Sequence, residues 1–332
     1  MNMINDKRGV VFTIIAIVLA VFFTLIFSAR VEKPLDYKTE ILETRISVLS
    51  DYMNAFFDYA EGTASIAGYA ALQGVISDIS TYHRYYDQSD EFETNYTYCI
   101  KTGNLTTSKY CPNMTNSTLT YFLDQLRNIA EDELNINSNY TINHVSVNQT
   151  TDAFSVEVIL NLSVKVNDAY ANISDTRVLT SSVPIAGLLD PLYLLNGTYN
   201  QTINPYKKEL GNWAYVDLQQ LYNTHAYRRY SEGVSFINRI KGDFSPGDDY
   251  GIESFVNYTH PGVTYDYNDT MVDYLFWQNK EFNCLPTTIS SEVLGINDTA
   301  NFPLKNGVQY FQLDKDHASI FLSGYLLTSP CP

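Results

Sequence analysis

Two periodicities organise the chain. Over 154–166, Phe154, Val156, Val158, Leu160, Leu162, Val164 and Val166 alternate with Ser155, Glu157, Ile159, Asn161, Ser163 and Lys165. A period of two sends alternate side chains to opposite faces, so this stretch predicts a long half-buried strand. Runs at 140–148 and 172–185 can pair with it through turns at 149–152 and 167–171, which predicts an antiparallel meander. Upstream, Leu42, Ile46, Leu49, Met53, Phe56, Ala60, Ala64, Ala67, Ala71 and Val75 recur every three or four residues, with no proline after Pro34. That spacing predicts a long amphipathic helix. Its second half carries Ala60, Gly62, Ala64, Ala67, Gly68, Ala70 and Ala71, which let another element approach closely.

The same reading divides the rest of the chain. Residues 82–116 change character and predict a loop stapled by cysteines. A helix follows over 118–134, with Leu119, Phe122, Leu123, Leu126 and Ile129 on one face. Beyond residue 188 the pattern predicts helices at 213–230 and 234–240, then a terminal hairpin from 308–313 and 319–327 around Asp314-Lys315-Asp316. The fold expectation is α+β: a long helix packed on an antiparallel meander over 82–188, with a second mixed α/β region over 189–332.

The front of the chain adds a different signal. Residues 10–27 hold no charge and are interrupted only by Thr13 and Thr24. At about 1.5 Å per residue, such a helix just crosses roughly 27–30 Å of hydrocarbon. A secretory signal peptide would be shorter and would need a small residue where Phe27 stands before Ser28-Ala29, so a retained membrane helix is expected. Continued into the amphipathic helix over 28–81, with a bend at Pro34, it would reach about 100 Å. Lys7 and Arg8 precede the helix, but Arg30, Lys33 and Lys38 follow it, so charge alone does not orient it.

Two features place the long C-terminal part outside. Acceptor sequences Asn-x-Ser/Thr begin at Asn95, Asn104, Asn113, Asn116, Asn139, Asn148, Asn161, Asn172, Asn196, Asn200, Asn257, Asn268 and Asn297. That is 13 of 29 asparagines, against about five expected from the serine and threonine content. Cys99, Cys111, Cys284 and Cys331 form an even set, all distal to the apolar run. Local closure favours Cys99–Cys111 and Cys284–Cys331, and an oxidising exterior suits both observations.

The basic residues Lys7 and Arg8, then Gly9, then an unbroken apolar run from Val10, resemble the class III leader of archaeal type IV pilins and archaellins. The resemblance implies that a prepilin peptidase cuts after Gly9 and leaves Val10 as the mature N-terminus, with 1–9 as a short basic leader. It implies assembly through the apolar helix, with membrane lipid and other pilin-like subunits as partners. The position five into the mature chain is Ile14 where bacterial pilins carry Glu, so the likeness is to the archaeal pattern. The pieces Asp190-Pro191-Leu192-Tyr193, Gly251-Ile252-Glu253-Ser254-Phe255 and Val272-Asp273-Tyr274 look like those of archaeal membrane-anchored proteins with such N-termini. The length after 188 suggests a minor or tip subunit over a major one. An uncleaved single-pass surface glycoprotein or adhesin, contacting a surface glycan or protein, is the alternative, with an ectoenzyme the third reading.

Composition narrows the function further. The formal net charge is −16 over 332 residues, the wrong sign for nucleic-acid binding. No Gly-x-Ser-x-Gly, Walker or Rossmann pattern occurs, so no enzyme and no cofactor is expected. The five histidines are scattered, and the cysteines form no CxxC pair, so no metal site is expected. Asp266, Asn268, Asp269 and Asp273, and also Asp243, Asp248 and Asp249, offer oxygen ligands but lack EF-hand offsets; they are read as solvated turns. The 27 tyrosines suit interfaces and a glycosylated exterior equally.

Overall fold

The computed structural model describes residues 17–21, 37–87, 90–106, 110–112, 114–169, 171–195, 199–208, 212–257, 260–264, 268–280, 282, 293–296 and 311–322. The leader and Val10, most of the apolar run 10–27, Pro34, Asn113, Asn196, Asn297, Cys284 and Cys331 therefore lie outside the described residues. Of the apolar run, 17–21 is helical. Among the described residues, no helix is long and apolar enough to cross a membrane.

The fold is α+β. Helix α1 runs over Tyr37–Tyr82 as one continuous element, matching the long apolar stripe. The stripe divides in two. Leu42 and Ile46 remain 41% and 43% exposed, whereas the stripe positions from Leu49 to Val75 are buried; Ile66, off the stripe, is exposed. Helix α2, Glu91–Thr102, occupies what the sequence suggested was a loop. Phe92, Tyr96, Cys99 and Ile100 supply its buried face at helical spacing, and Gly103 in the left-handed region ends it. Helix α3, Leu119–Leu134, starts where expected, with the Thr118 side chain accepting from the Tyr121 N–H.

Strands β1 (Asn137–Asn148), β2 (Ser155–Asn167) and β3 (Asn172–Pro184) form the meander, in that order and antiparallel throughout. Val145 and Leu179 flank Leu160 in the register, so the predicted alternation becomes one apolar face. The register shifts between Ile142 and His144, where a bulge moves β1 from Ser138, Tyr140 and Ile142 inward to Val145 and Val147 inward. That face closes on α1. A Cβ at Gly68 would stand 2.9 Å from the Tyr96 hydroxyl and from a methyl of each of Val158 and Val183. The small-residue stripe thus sets helix–sheet spacing at Gly68, whereas Gly62 faces open space.

The chain then builds a second core. Its elements are α4 (Pro191–Leu195), α5 (Tyr215–Thr224), β4 (Arg228–Val234), α6 (Phe236–Lys241), β5 (Ile252–Glu253), α7 (Asp273–Trp277), β6 (Val293–Ile296), β7 (Phe311–Asp314) and α8 (Lys315–Phe321). Two expectations fail here. The helix foreseen over 213–230 stops at Thr224, because His225 enters the left-handed region at φ 52° and the chain continues as β4. Among the described residues the foreseen terminal hairpin does not form at its turn: β7 pairs with β6, and Asp314 is not a turn residue but caps α8 by accepting from the His317 N–H, while 308–310 and 323–327 lie outside the described residues.

This core is aromatic. Tyr193 packs edge-on to Tyr199 and Trp277, and Phe255 edge-on to Phe311 and Phe321. It docks on the first core through α1 and α2. Tyr86 N–H donates to the Ile240 carbonyl at 3.1 Å, and Lys241 Nζ lies 3.1 Å from Glu93 Oε1.

Candidate functional site

Among the foreseen site residues, the two that can be seen as a pair are Cys99 and Cys111. They form a disulfide with Cα atoms 5.7 Å apart. It ties the end of α2 to the segment before α3 and lies against α1 at Gly74, where a Cβ would fall 2.2 Å from Cys111 Sγ.

The described acceptor asparagines separate by exposure. Asn104, Asn116, Asn139, Asn148, Asn172 and Asn200 are exposed, while Asn161, Asn257 and Asn268 are half-buried. Asn95 is 6% exposed, its amide donating to the Glu91 carbonyl and its oxygen accepting from the Thr106 N–H and hydroxyl. A glycan there would have to displace packed α2, so Asn95 is a poor acceptor in the folded chain. Asn161 stands on the polar face of β2, bonded to Asn143.

The second core contains an ionic lattice that the sequence did not reveal. Arg239 on α6 is fully buried; its Nη1 donates to Asp190 Oδ2 at 2.6 Å and to Asp273 Oδ2 at 2.7 Å. Nε and Nη2 donate to the carbonyls of Val234 and Ile252. Each carboxylate takes a second donor: Tyr227 hydroxyl on Asp190 and Ser254 hydroxyl on Asp273. Burial drives the Asp273 carboxyl up to about 6 in spite of Arg239. Asp273 is therefore no solvated turn residue.

Beside it, Glu253 on β5 accepts from Arg228 Nε and, at 3.0 Å, from His317 Nε2, while His317 Nδ1 donates to Asp314 Oδ1 at 2.8 Å. Burial alone would neutralise His317, but the carboxylates on either side outweigh it and raise the imidazolium to about 10. Burial would likewise raise Glu253 and Asp314; Arg228 and His317 hold Glu253 low, and His317 holds Asp314 low. Both imidazole nitrogens are engaged on opposite sides, so these carboxylates do not converge on one ion. Among the described residues, no group of three or more His, Cys, Asp or Glu side chains is arranged to hold a metal. Ser254 and His317 are 0% and 2% exposed, so what this lattice does is fix the packing of β4, β5, α6, α7 and α8.

One edge of the lattice reaches a cleft. A cavity of about 710 Å³ lies where the 199–208 segment passes β4, and Arg228 lines it together with Tyr206, Lys207, Lys208, Trp213 and Arg229. The segments are held side by side by backbone bonds from Tyr206 N–H to the Tyr227 carbonyl and from Tyr227 N–H to the Asn204 carbonyl, each 2.8 Å. The Arg228 guanidinium sits 4.8 Å from the Trp213 ring centroid and 4.6 Å from that of Tyr230. The signal available in the sequence was the recurrence of adjacent basic pairs, Lys207-Lys208 and Arg228-Arg229.

Compared with protein-family models, curated proteins and solved structures, the chain finds no match.

Proposed function

We propose that the chain is a pilin-like cell-surface subunit, minor or tip in character, that works by assembly or adhesion and not by catalysis. In this reading Lys7, Arg8 and Gly9 direct a prepilin peptidase, the helix over 10–27 sits in membrane lipid before assembly, and the glycosylated head faces outward. Membrane anchoring and the extracellular location of the head belong to the same proposal. The observation that carries it is the division of α1. One continuous helix packs its apolar stripe against the meander and neighbouring helices from Leu49 onward, yet presents the Leu42 and Ile46 positions of that stripe to solvent at a four-residue spacing toward its N-terminus. An apolar stripe left open on the membrane-proximal part of such a helix is what packing against neighbouring helices would cover. The exposed acceptor asparagines on the head support an outward orientation.

The test is to replace Gly9 by a bulky residue, and separately to reverse the charge of Lys7 and Arg8 with glutamate. Processing of the native chain, followed as a mobility shift, is expected to stop in both variants. Unchanged processing products and surface display would instead favour the uncleaved surface glycoprotein.

A further inference from the structure

The basic pairs of the head have no role in the reading above. After residue 30 the chain contains two places where basic residues are adjacent, Lys207-Lys208 and Arg228-Arg229, and the fold brings both to one cleft. In a protein of net charge −16 that concentration needs a cause. Two carboxylates answer it in part: Asp217 pairs with Lys208, and Glu253 with Arg228. Arg229 donates to the backbone carbonyl of Asp249, and among the described residues Lys207 makes no ion pair. Among the described residues the cleft therefore keeps a positive excess. Arg228 is 2% exposed, yet among the described residues its Nη2 is a buried donor with no hydrogen-bond partner. A buried guanidinium nitrogen without an acceptor is costly, and an oxyanion held in the cleft would offset its charge through space.

Shape and lining narrow the ligand. About 710 Å³ falls within the size of small-molecule sites, and Phe154, Tyr206 and Trp213 supply aromatic surface beside the cations. A ring with an apolar face and a carboxylate at its edge meets both requirements. We propose that this cleft binds an acidic sugar, a uronic acid residue, whose carboxylate lies between Lys207 and Arg229, in the field of the buried Arg228, and whose ring lies on the aromatic wall. The proposal does not depend on cleavage at Gly9, since the cleft lies wholly in the head.

The test titrates the detergent-solubilised full chain, carrying Trp277→Phe so that Trp213 reports alone, with galacturonate, galactose and sulfate. Galacturonate is expected to change Trp213 fluorescence saturably, sulfate to compete more weakly, and galactose to give no response. Lys207→Glu, at an exposed position, and Arg229→Gln are each expected to weaken galacturonate by roughly tenfold, the loss of one charge-assisted contact. The proposal is overturned by equal responses to galacturonate and galactose, or by sulfate binding that galacturonate does not exceed. It is overturned equally by no response in a folded chain, or by unaltered affinity in Lys207→Glu.

Discussion

The two cores of this protein are held by different forces. In the first, α1 lies on a three-stranded meander and the core is apolar, from Phe56 and Ala64 to Val158 and Leu160, with Asp78 a buried charged residue beside it. In the second, aromatic packing surrounds Arg239, Asp190, Asp273, Arg228, Glu253, His317 and Asp314, all buried. Apolar burial is additive and forgiving of small losses, whereas a buried ion is tolerated only while its partners remain. The first core should therefore fail gradually under substitution, and the second abruptly.

The sharpest way to break that contrast is Arg239→Met. It strands Asp190 and Asp273 in the interior and is expected to destabilise the second core by about 3–5 kcal/mol. Denaturant unfolding followed through Trp277 would read it; a loss below 1 kcal/mol would mean the lattice is incidental. Cys99→Ser acts on the other core. Opening the short loop to Cys111 should cost roughly 3 kcal/mol, seen as loss of hydrogen-exchange protection in α2 while Trp277 is unaffected.

Acidity should separate the cores further. His317 binds its proton more tightly in the folded chain than at its ordinary 6.5, so its contribution is complete below that pH and is lost as pH rises through about 10. Glu253 and Asp314 are held low, so their contribution is present above the usual carboxylate range and lost as pH falls. Asp273 runs the other way, favouring the folded state in acid and ceasing to do so as pH rises through about 6. Unfolding scans from pH 7 to 10 should show falling stability in the parent and a flatter profile in His317→Gln. Equal slopes would remove His317 from the account.

The smallest effects compare two glycines of α1. Gly68→Ala places a methyl group 2.9 Å from Val158, Val183 and Tyr96 and should cost about 1–3 kcal/mol through overpacking. Gly62→Ala meets nothing within 4 Å and should stabilise the helix by up to about 1 kcal/mol. Melting curves giving the same sign for both would show that the stripe does not set helix–sheet spacing.

The contrast also explains what could be read from the sequence. Strict alternation over 154–166 and the helical stripe from Leu42 to Val75 are local patterns, and they became β2 and α1. Helix α2 had its signal in Phe92, Tyr96, Cys99 and Ile100, masked by the polar residues between them. Strand β4 was hidden because a helix break at His225 needs no proline or glycine. Asp314 illustrates a true ambiguity, since aspartate serves both turns and helix caps. The lattice joins residues tens of positions apart, from Asp190 to His317, and nothing in local spacing selects them from 37 acidic and 21 basic residues, whereas the cleft had a local signal in the adjacent basic pairs Lys207-Lys208 and Arg228-Arg229.

In the proposed function the apolar helix becomes the mature N-terminus of an assembling subunit. That claim is tested most directly by intact mass and N-terminal sequence of the chain extracted from its native membrane. A start at Val10 is the result predicted; a start at Met1 would contradict it and leave a permanently anchored surface protein.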